Sequence, residues 1–130
     1  MSTSSPLRLT DADRGKPVPK RVIRELARII AEKFNPDKII LFGSHAYGQP
    51  RPWSDVDLLV VMDVPREHEV RVAQSISKAL PRRPFGVDIL VRSQAVIDRR
   101  IAMDDWFLEE ITTKGQVLYA RDDDRVGRGR

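Results

Sequence analysis

Apolar residues along the first third of the chain recur first at helical spacing and then in a short unbroken run. In residues 18–34 they stand three or four positions apart, with charged residues between them: Val22, Ile23, Leu26, Ile29, Ile30 and Phe34. This spacing predicts an amphipathic helix. The sequence "NPDK" interrupts it, and the β-branched run at 39–42 predicts a buried strand.

The rest of the chain alternates in the same way. We predict a short helix from Gly43 to about Gly48, a strand at 56–62, a helix capped by Asp63 with Pro65 in its first turn and ending near Leu80, a strand at 85–91, a helix capped by Ser93, a helix over 104–114 and a strand at 116–120. Helices that alternate with three or four short strands predict an α/β or α+β fold.

The chain has 130 residues, which predicts a single domain. We assign residues 18–120 to this domain, 1–17 to a flexible N-terminal arm and 121–130 to a disordered charged tail. The sequence contains no cysteine, so disulfides and thiolate metal sites are excluded. The net charge of +4 suits an anionic ligand. No signal peptide or membrane-spanning run is recognisable, so a cytoplasmic location is expected.

Three aspartates interrupt apolar runs. Asp55 and Asp57 stand two positions apart at the start of the 56–62 strand, and Asp88 lies inside the 85–91 strand. Alternate side chains of a strand share a face, and carboxylates at close range repel each other unless a cation lies between them. Oxygen ligands of this kind suit Mg²⁺ or Mn²⁺. The alternatives are two surface acids for the first pair, and for Asp88 an ion pair with an arginine such as Arg92.

Gly43 and Ser44 follow the first predicted strand directly. A glycine at this point lets the backbone approach a ligand closely, and the amides and hydroxyl at the start of a helix can hold phosphate oxygens. Alone this pair is a weak signal. It becomes specific ten residues before a strand that carries two aspartates.

The string "FGSHAYGQPRPWSDVDLLVV", with the later "GVDILV", resembles the signature of the minimal nucleotidyltransferases of the DNA polymerase β superfamily. The resemblance covers roughly residues 20–120 and implies the small mixed sheet, flanked by helices, of the polymerase β-like fold. It implies that Gly43 and Ser44 bind the nucleotide phosphates. It also implies that Asp55, Asp57 and Asp88 are the catalytic, metal-binding residues.

The resemblance further implies transfer of a nucleoside monophosphate, most naturally AMP from ATP, to a hydroxyl group, with Mg²⁺ or Mn²⁺ as cofactor. Small members of the family often pair with a helical HEPN-type toxin and act as antitoxins, and some add AMP to that partner. We therefore expect a HEPN-type partner or a homodimer, with no template nucleic acid and no membrane. The alternative is a non-catalytic nucleotide-binding antitoxin or interaction module. A glycosyltransferase is disfavoured because it leaves Gly43 and Ser44 unexplained.

One position departs from the family pattern. Many members carry an arginine where this chain has Tyr47, so a cationic phosphate contact must come from elsewhere, for instance from Arg51. Trp53 could border a nucleobase. His45 is expected to pack or to face solvent, and Trp106 and Phe107 to pack the last helix on the sheet.

Overall fold

The structure is a computed structural model that describes residues 7–121. Five α-helices are present in this range: α1 (Lys20–Phe34), α2 (Ser44–Tyr47), α3 (Glu69–Ala79), α4 (Gln94–Ala102) and α5 (Trp106–Lys114). Asp11–Asp13 and Arg66–His68 form single 3₁₀ turns. None of the helices in residues 7–121 is long and apolar enough to cross a membrane.

Four strands form one mixed sheet with the order β3-β2-β1-β4. The central β1 pairs antiparallel with β2 and with β4, whereas β2 and β3 run parallel. The α3 helix makes the crossover that a parallel pair requires. The bounds are β1 (Lys38–Phe42), β2 (Val56–Val61), β3 (Val87–Arg92) and β4 (Gln116–Ala120). The fold is therefore α/β with a small mixed sheet, as predicted.

Each face of the sheet has its own apolar core. The first face packs against α1 and α3, and its buried residues include Leu26, Leu58 and Ile76. The second face packs against α4 and α5 through Ile97 and Ile111. Strand residues alternate between the two cores, which explains why the β2 run is apolar at almost every position.

The predicted elements are confirmed, with one displaced boundary. Ser93 caps α4 by accepting a hydrogen bond from the Val96 amide at 3.2 Å, as predicted. The helix predicted to start at Asp63 instead begins with the 3₁₀ turn at Arg66–His68, and α3 proper starts at Glu69. Pro65 has an extended backbone (ψ 147°), so the regular helix can begin only after it.

The predicted N-terminal arm lies partly within the described residues. Leu7 is buried in the first core, and Arg21 on α1 forms an ion pair with Asp13 at 2.7 Å. Residues 1–6 of the arm and 122–130 of the predicted tail lie outside the described residues.

Candidate functional site

The three predicted acids lie at one end of the parallel strand pair. Asp57 on β2 is in register with Asp88 on β3, and on its other side with Phe42 at the end of β1. Asp55 immediately precedes β2. Strand alternation places Asp57 on the second face of the sheet, because Leu59 and Val61 two and four positions later belong to the second core.

The acids act on one another electrostatically. The pKa of Asp57 is raised from 3.8 to about 6, first by burial, then by the charge of Asp88, by a hydrogen bond with the Asp88 carboxyl group and by the charge of Asp55. A proton shared between two carboxyl groups holds together a pair that would otherwise repel. The arrangement therefore favours a positive species between Asp57 and Asp88.

Two glycines leave room for the carboxylates. A Cβ atom on Gly43 would lie within 3.0 Å of Asp57 Oδ2, and a Cβ on Gly86 would meet the Asp55 carboxylate equally closely. Gly43 also has φ 75°, a left-handed backbone conformation that other residues rarely adopt. The aspartates thus lie directly against main chain on both sides.

The turn after β1 presents main-chain donors beside the acids. The amides of Ala46 and Tyr47 both bond to the Gly43 carbonyl, at 3.0 and 3.1 Å. Within the described part of the chain, the amides of Ser44 and His45 have no such partner. Free amides at the start of a helix are suited to phosphate oxygens, and the phosphate-binding role of Gly43 and Ser44 stays a prediction.

His45 connects this turn to the acidic segment. Its side chain is buried, and Nδ1 donates a hydrogen bond to the main-chain carbonyl of Asp55 at 3.1 Å. Burial lowers the pKa of His45, which favours the neutral ring, and Nε2 has no partner among the described residues. The buried ring therefore holds the Asp55 main chain against α2, rather than facing solvent.

A second link holds α2 from the opposite side. Gln116, the first residue of β4, donates from Nε2 to the carbonyl of Ala46 at 3.0 Å and accepts at Oε1 from Lys20 Nζ at 2.5 Å. The start of α1 and the start of β4 thus both support the four-residue helix α2. A helix this short needs such contacts, because isolated helical turns are unstable.

Other predicted residues lie at the border of the site or outside it. Arg92 does not pair with Asp88; its guanidinium bonds to Glu69 at 3.3 Å and to the Val91 carbonyl at 2.7 Å. Arg51 lies 5.8 Å from the ring centroid of Trp53, which is 74% exposed. Among residues 7–121, neither Arg51 nor Trp53 forms a hydrogen bond or ion pair with Asp55, Asp57 or Asp88.

The last helix presents apolar residues next to the site. Phe107 packs edge-on against Phe42 with ring centroids 5.9 Å apart, which agrees with the packing role expected for it. Trp106 is 73% exposed, so the expectation that it packs on the sheet is wrong. Together with the exposed Met103 it forms what we call the α4–α5 aromatic patch, composed of Met103, Trp106 and Phe107.

The donor set of the site fits a hard divalent cation. It contains only oxygen atoms, and the Asp57–Asp88 pair faces across one strand spacing with the Asp55 charge nearby. Among residues 7–121 no group of three His, Cys, Asp or Glu side chains is already gathered around a metal position. Asp57 and Asp88 are thus placed to bind a cation together, and Asp55 adds a third negative charge nearby.

Comparison with known proteins agrees with this geometry. The family described as "Nucleotidyltransferase domain" matches residues 23–118. A protein of Methanocaldococcus jannaschii named "Putative protein adenylyltransferase" is 29% identical over 103 residues, which cover 77% of this chain and 97% of that protein. A crystal structure titled as a "putative nucleotidyltransferase" from Sulfolobus solfataricus has the same fold, with a TM-score of 0.55, 20% identity, and coverage of 77% of this chain and 78% of that chain.

Sequence reasoning missed several residues that shape the site. Gly86 lies two positions before Asp88, directly before a strand that carries an acid. This position is the signal from which a need for glycine, to avoid a collision with a carboxylate, could have been predicted. The link from Lys20 through Gln116 to α2 had no local signal, because its partners are 96 and 70 residues apart.

Proposed function

Because the chain belongs to the nucleotidyltransferase domain family, we propose that it transfers AMP from ATP to a hydroxyl group of a protein, with Mg²⁺ or Mn²⁺ as cofactor. The observation that carries this proposal is the in-register pair of Asp57 and Asp88 beside the Gly43 turn. Nucleotidyl transfer needs groups that bind phosphates next to groups that bind a cation, and this end of the sheet brings both together.

Each residue has a role in the proposed reaction. Gly43 and Ser44 bind phosphate oxygens through main-chain amides and the Ser44 hydroxyl, and Asp55, Asp57 and Asp88 hold the metal. When bound, the metal neutralises phosphate charge and lowers the pKa of the attacking hydroxyl. The hydroxyl oxygen bonds to the α-phosphorus as the bond to the β-phosphate oxygen breaks, and pyrophosphate leaves. Asp88 accepts the hydroxyl proton.

A protein acceptor is supported by two observations. The Methanocaldococcus relative is named as a protein adenylyltransferase. In this chain the α4–α5 aromatic patch exposes Trp106 and Met103 to 73% and 69%, and exposed apolar surface of this kind favours protein contact. A tyrosine of a HEPN-type toxin is the acceptor we propose, which would make the chain its antitoxin. The alternative, a partner bound without AMP transfer, needs the same patch.

The metal and nucleotide roles are tested by titration calorimetry with ATP and Mg²⁺. The wild-type protein is expected to bind Mg·ATP, whereas Asp55→Asn and Asp57→Asn are expected to lose at least about tenfold in affinity, because each removes a charged ligand. Asp63→Asn, an exposed carboxylate at the far end of β2, is the matched control. Unchanged affinity in either site variant would contradict the assignment.

A further inference from the structure

The acid-bearing strand β3 lies at an open edge of the sheet. It pairs only with β2, and no strand in residues 7–121 pairs with its other side. An unpaired edge is a template for another extended chain. Asp88 belongs to this strand, so a chain that pairs with β3 would lie directly beside the reacting groups.

The unpaired backbone groups can be identified by alternation. The carbonyls of Gly86 and Arg92 accept hydrogen bonds at 3.0 Å from the amides of Val56, the first residue of β2, and Met62, which directly follows β2. Because successive residues of a strand point their main-chain groups to opposite sides, the residues between them at odd positions face the open edge. These residues are Val87, Ile89 and Val91.

An ion pair closes one end of the edge. The Arg92 guanidinium donates to the Val91 carbonyl at 2.7 Å and to Glu69 on α3 at 3.3 Å. Val91 can therefore offer no free carbonyl to an added strand. The half of the edge that remains open, Val87 and Ile89, is the half that flanks Asp88.

A groove of about 340 Å³ follows this edge between β3 and α3. Its walls include the side chains of Val70, Ala73 and Ile89, and Val70 is 69% exposed. Glu69 also lines the groove, although only 8% of its surface is exposed. Its Oε2 atom is buried and has no hydrogen-bond partner among the described residues.

From these features we infer that the β3–α3 groove binds an extended segment of the acceptor protein, which adds to β3 as a fifth strand and presents its hydroxyl residue at Asp88. This inference rests on the proposed function and names the form in which its substrate is recognised. Main-chain hydrogen bonds to Val87 and Ile89 supply the affinity.

The geometry of strand addition places the acceptor correctly. Directly opposed residues of neighbouring strands have Cβ atoms about 4.5–5.5 Å apart. A serine, threonine or tyrosine paired with Asp88 on the second face of the sheet would therefore reach the α-phosphate of a nucleotide bound at Gly43 and Ser44. Its oxygen then forms the bond to the α-phosphorus, the bond to pyrophosphate breaks, and the proton passes to Asp88.

Degenerate nine-residue peptide pools with a central tyrosine, serine or threonine provide the probe. With ATP and Mg²⁺, the wild-type protein is expected to attach AMP to at least one pool, detected by mass spectrometry. The same pool N-methylated at alternate backbone positions is expected to be labelled about tenfold less, because the main-chain donors are lost. Amide exchange at Val87 and Ile89 is expected to slow when peptide is added without nucleotide, while exchange at Asp88 and Leu90 stays unchanged.

Variants of the groove separate this inference from the proposed function. Ile89→Pro removes an edge-facing donor but no hydrogen bond to β2, and Val70→Glu places a charge at the groove. Both are expected to bind Mg·ATP normally and to lose peptide labelling about tenfold. Ser75→Glu adds the same charge on the exposed side of α3 and is expected to label peptides like the wild type.

Several outcomes would overturn the inference. A wild-type protein that binds Mg·ATP but labels no peptide contradicts it, as does labelling that N-methylation or Val70→Glu leaves unchanged. A wild-type dimer that Ile89→Pro converts to a monomer, without peptide labelling, would assign the edge to a second copy of the chain. Loss of Mg·ATP binding in the wild type would instead refute the proposed function.

Discussion

Replacement of Asp57 by asparagine is predicted to make the metal-free protein more stable at neutral pH. In the folded chain the pKa of Asp57 rises from 3.8 to about 6, mainly because of burial and then because of Asp88. The ionised carboxylate is therefore unfavourable in the fold. Asparagine has nearly the same shape, carries no charge and can still hydrogen-bond to Asp88.

The size of the effect follows from the pKa shift. Each pKa unit corresponds to about 1.36 kcal/mol, so the rise of the Asp57 pKa from 3.8 to about 6 sets an upper limit of about 3 kcal/mol. Asp57 is only partly buried, and solvent screens part of the interaction, so we expect a gain of about 1–2 kcal/mol in the free energy of unfolding at neutral pH.

The effect must also depend on pH in one direction. Because the pKa is higher in the folded state, the proton on Asp57 stabilises the wild type fully below pH about 4, and this stabilisation is lost as the pH rises through about 6. The advantage of Asp57→Asn is therefore small near pH 4.5 and largest near pH 7.5. Urea denaturation at about these two pH values, in the presence of a chelator, measures it.

The matched control is Asp63→Asn, which makes the same chemical change at an exposed position. An advantage of Asp57→Asn that is equal at both pH values would refute the electrostatic reasoning, as would a variant that is less stable than the wild type at neutral pH. In either case the carboxyl pair would not be repulsive without a cation.

The remaining predictions concern chemistry, positioning and partners. Asp88→Asn is expected to keep Mg·ATP affinity within about tenfold and to lose AMP transfer, because Asp88 accepts the proton in the transition state; transfer at the wild-type rate would contradict this role. Gly86→Ala is expected to keep the wild-type circular dichroism spectrum but to lose AMP transfer, because its Cβ displaces the Asp55 carboxylate; transfer at the wild-type rate would contradict the need for a glycine beside Asp55. Trp106→Ser is expected to abolish any dimer or partner complex seen by light scattering, and an unchanged mass would exclude the α4–α5 aromatic patch as the interface.

Local sequence patterns were sufficient to predict the helices and strands and to single out the three aspartates. Helix α1 has an apolar stripe and strand β2 an apolar run, and both were predicted within two residues of their ends. The start of α3 was predicted too early because Asp63 and Pro65 together imitate a helix start, although the backbone stays extended through Pro65. Element type follows from periodicity, whereas the first turn depends on how the preceding loop crosses the sheet.

Tertiary contacts explain what the sequence could not predict. Asp57 and Asp88 face each other because β2 and β3 are neighbours in the sheet. Two strands joined through a helix such as α3 often pair in parallel, but no single residue of the sequence specifies that these two do. The exposure of Trp106 reverses what residue type alone favours, whereas residue type left both packing and exposure open for His45, which is buried. Both depend on where a helix end comes to lie against the sheet.

The hydrogen bond from Gln116 to α2 has a consequence for how the protein is made. The turn that is proposed to bind phosphate emerges from the ribosome some seventy residues before Gln116, the residue that holds it. Because β4 pairs with β1 only after almost all of the described chain has been synthesised, the nascent domain carries all three aspartates before α2 is held in place. The proposed nucleotide site is thus completed only when the last strand of the described residues has been translated, and a chain released before Gln116 would contain all three aspartates yet lack this support for α2.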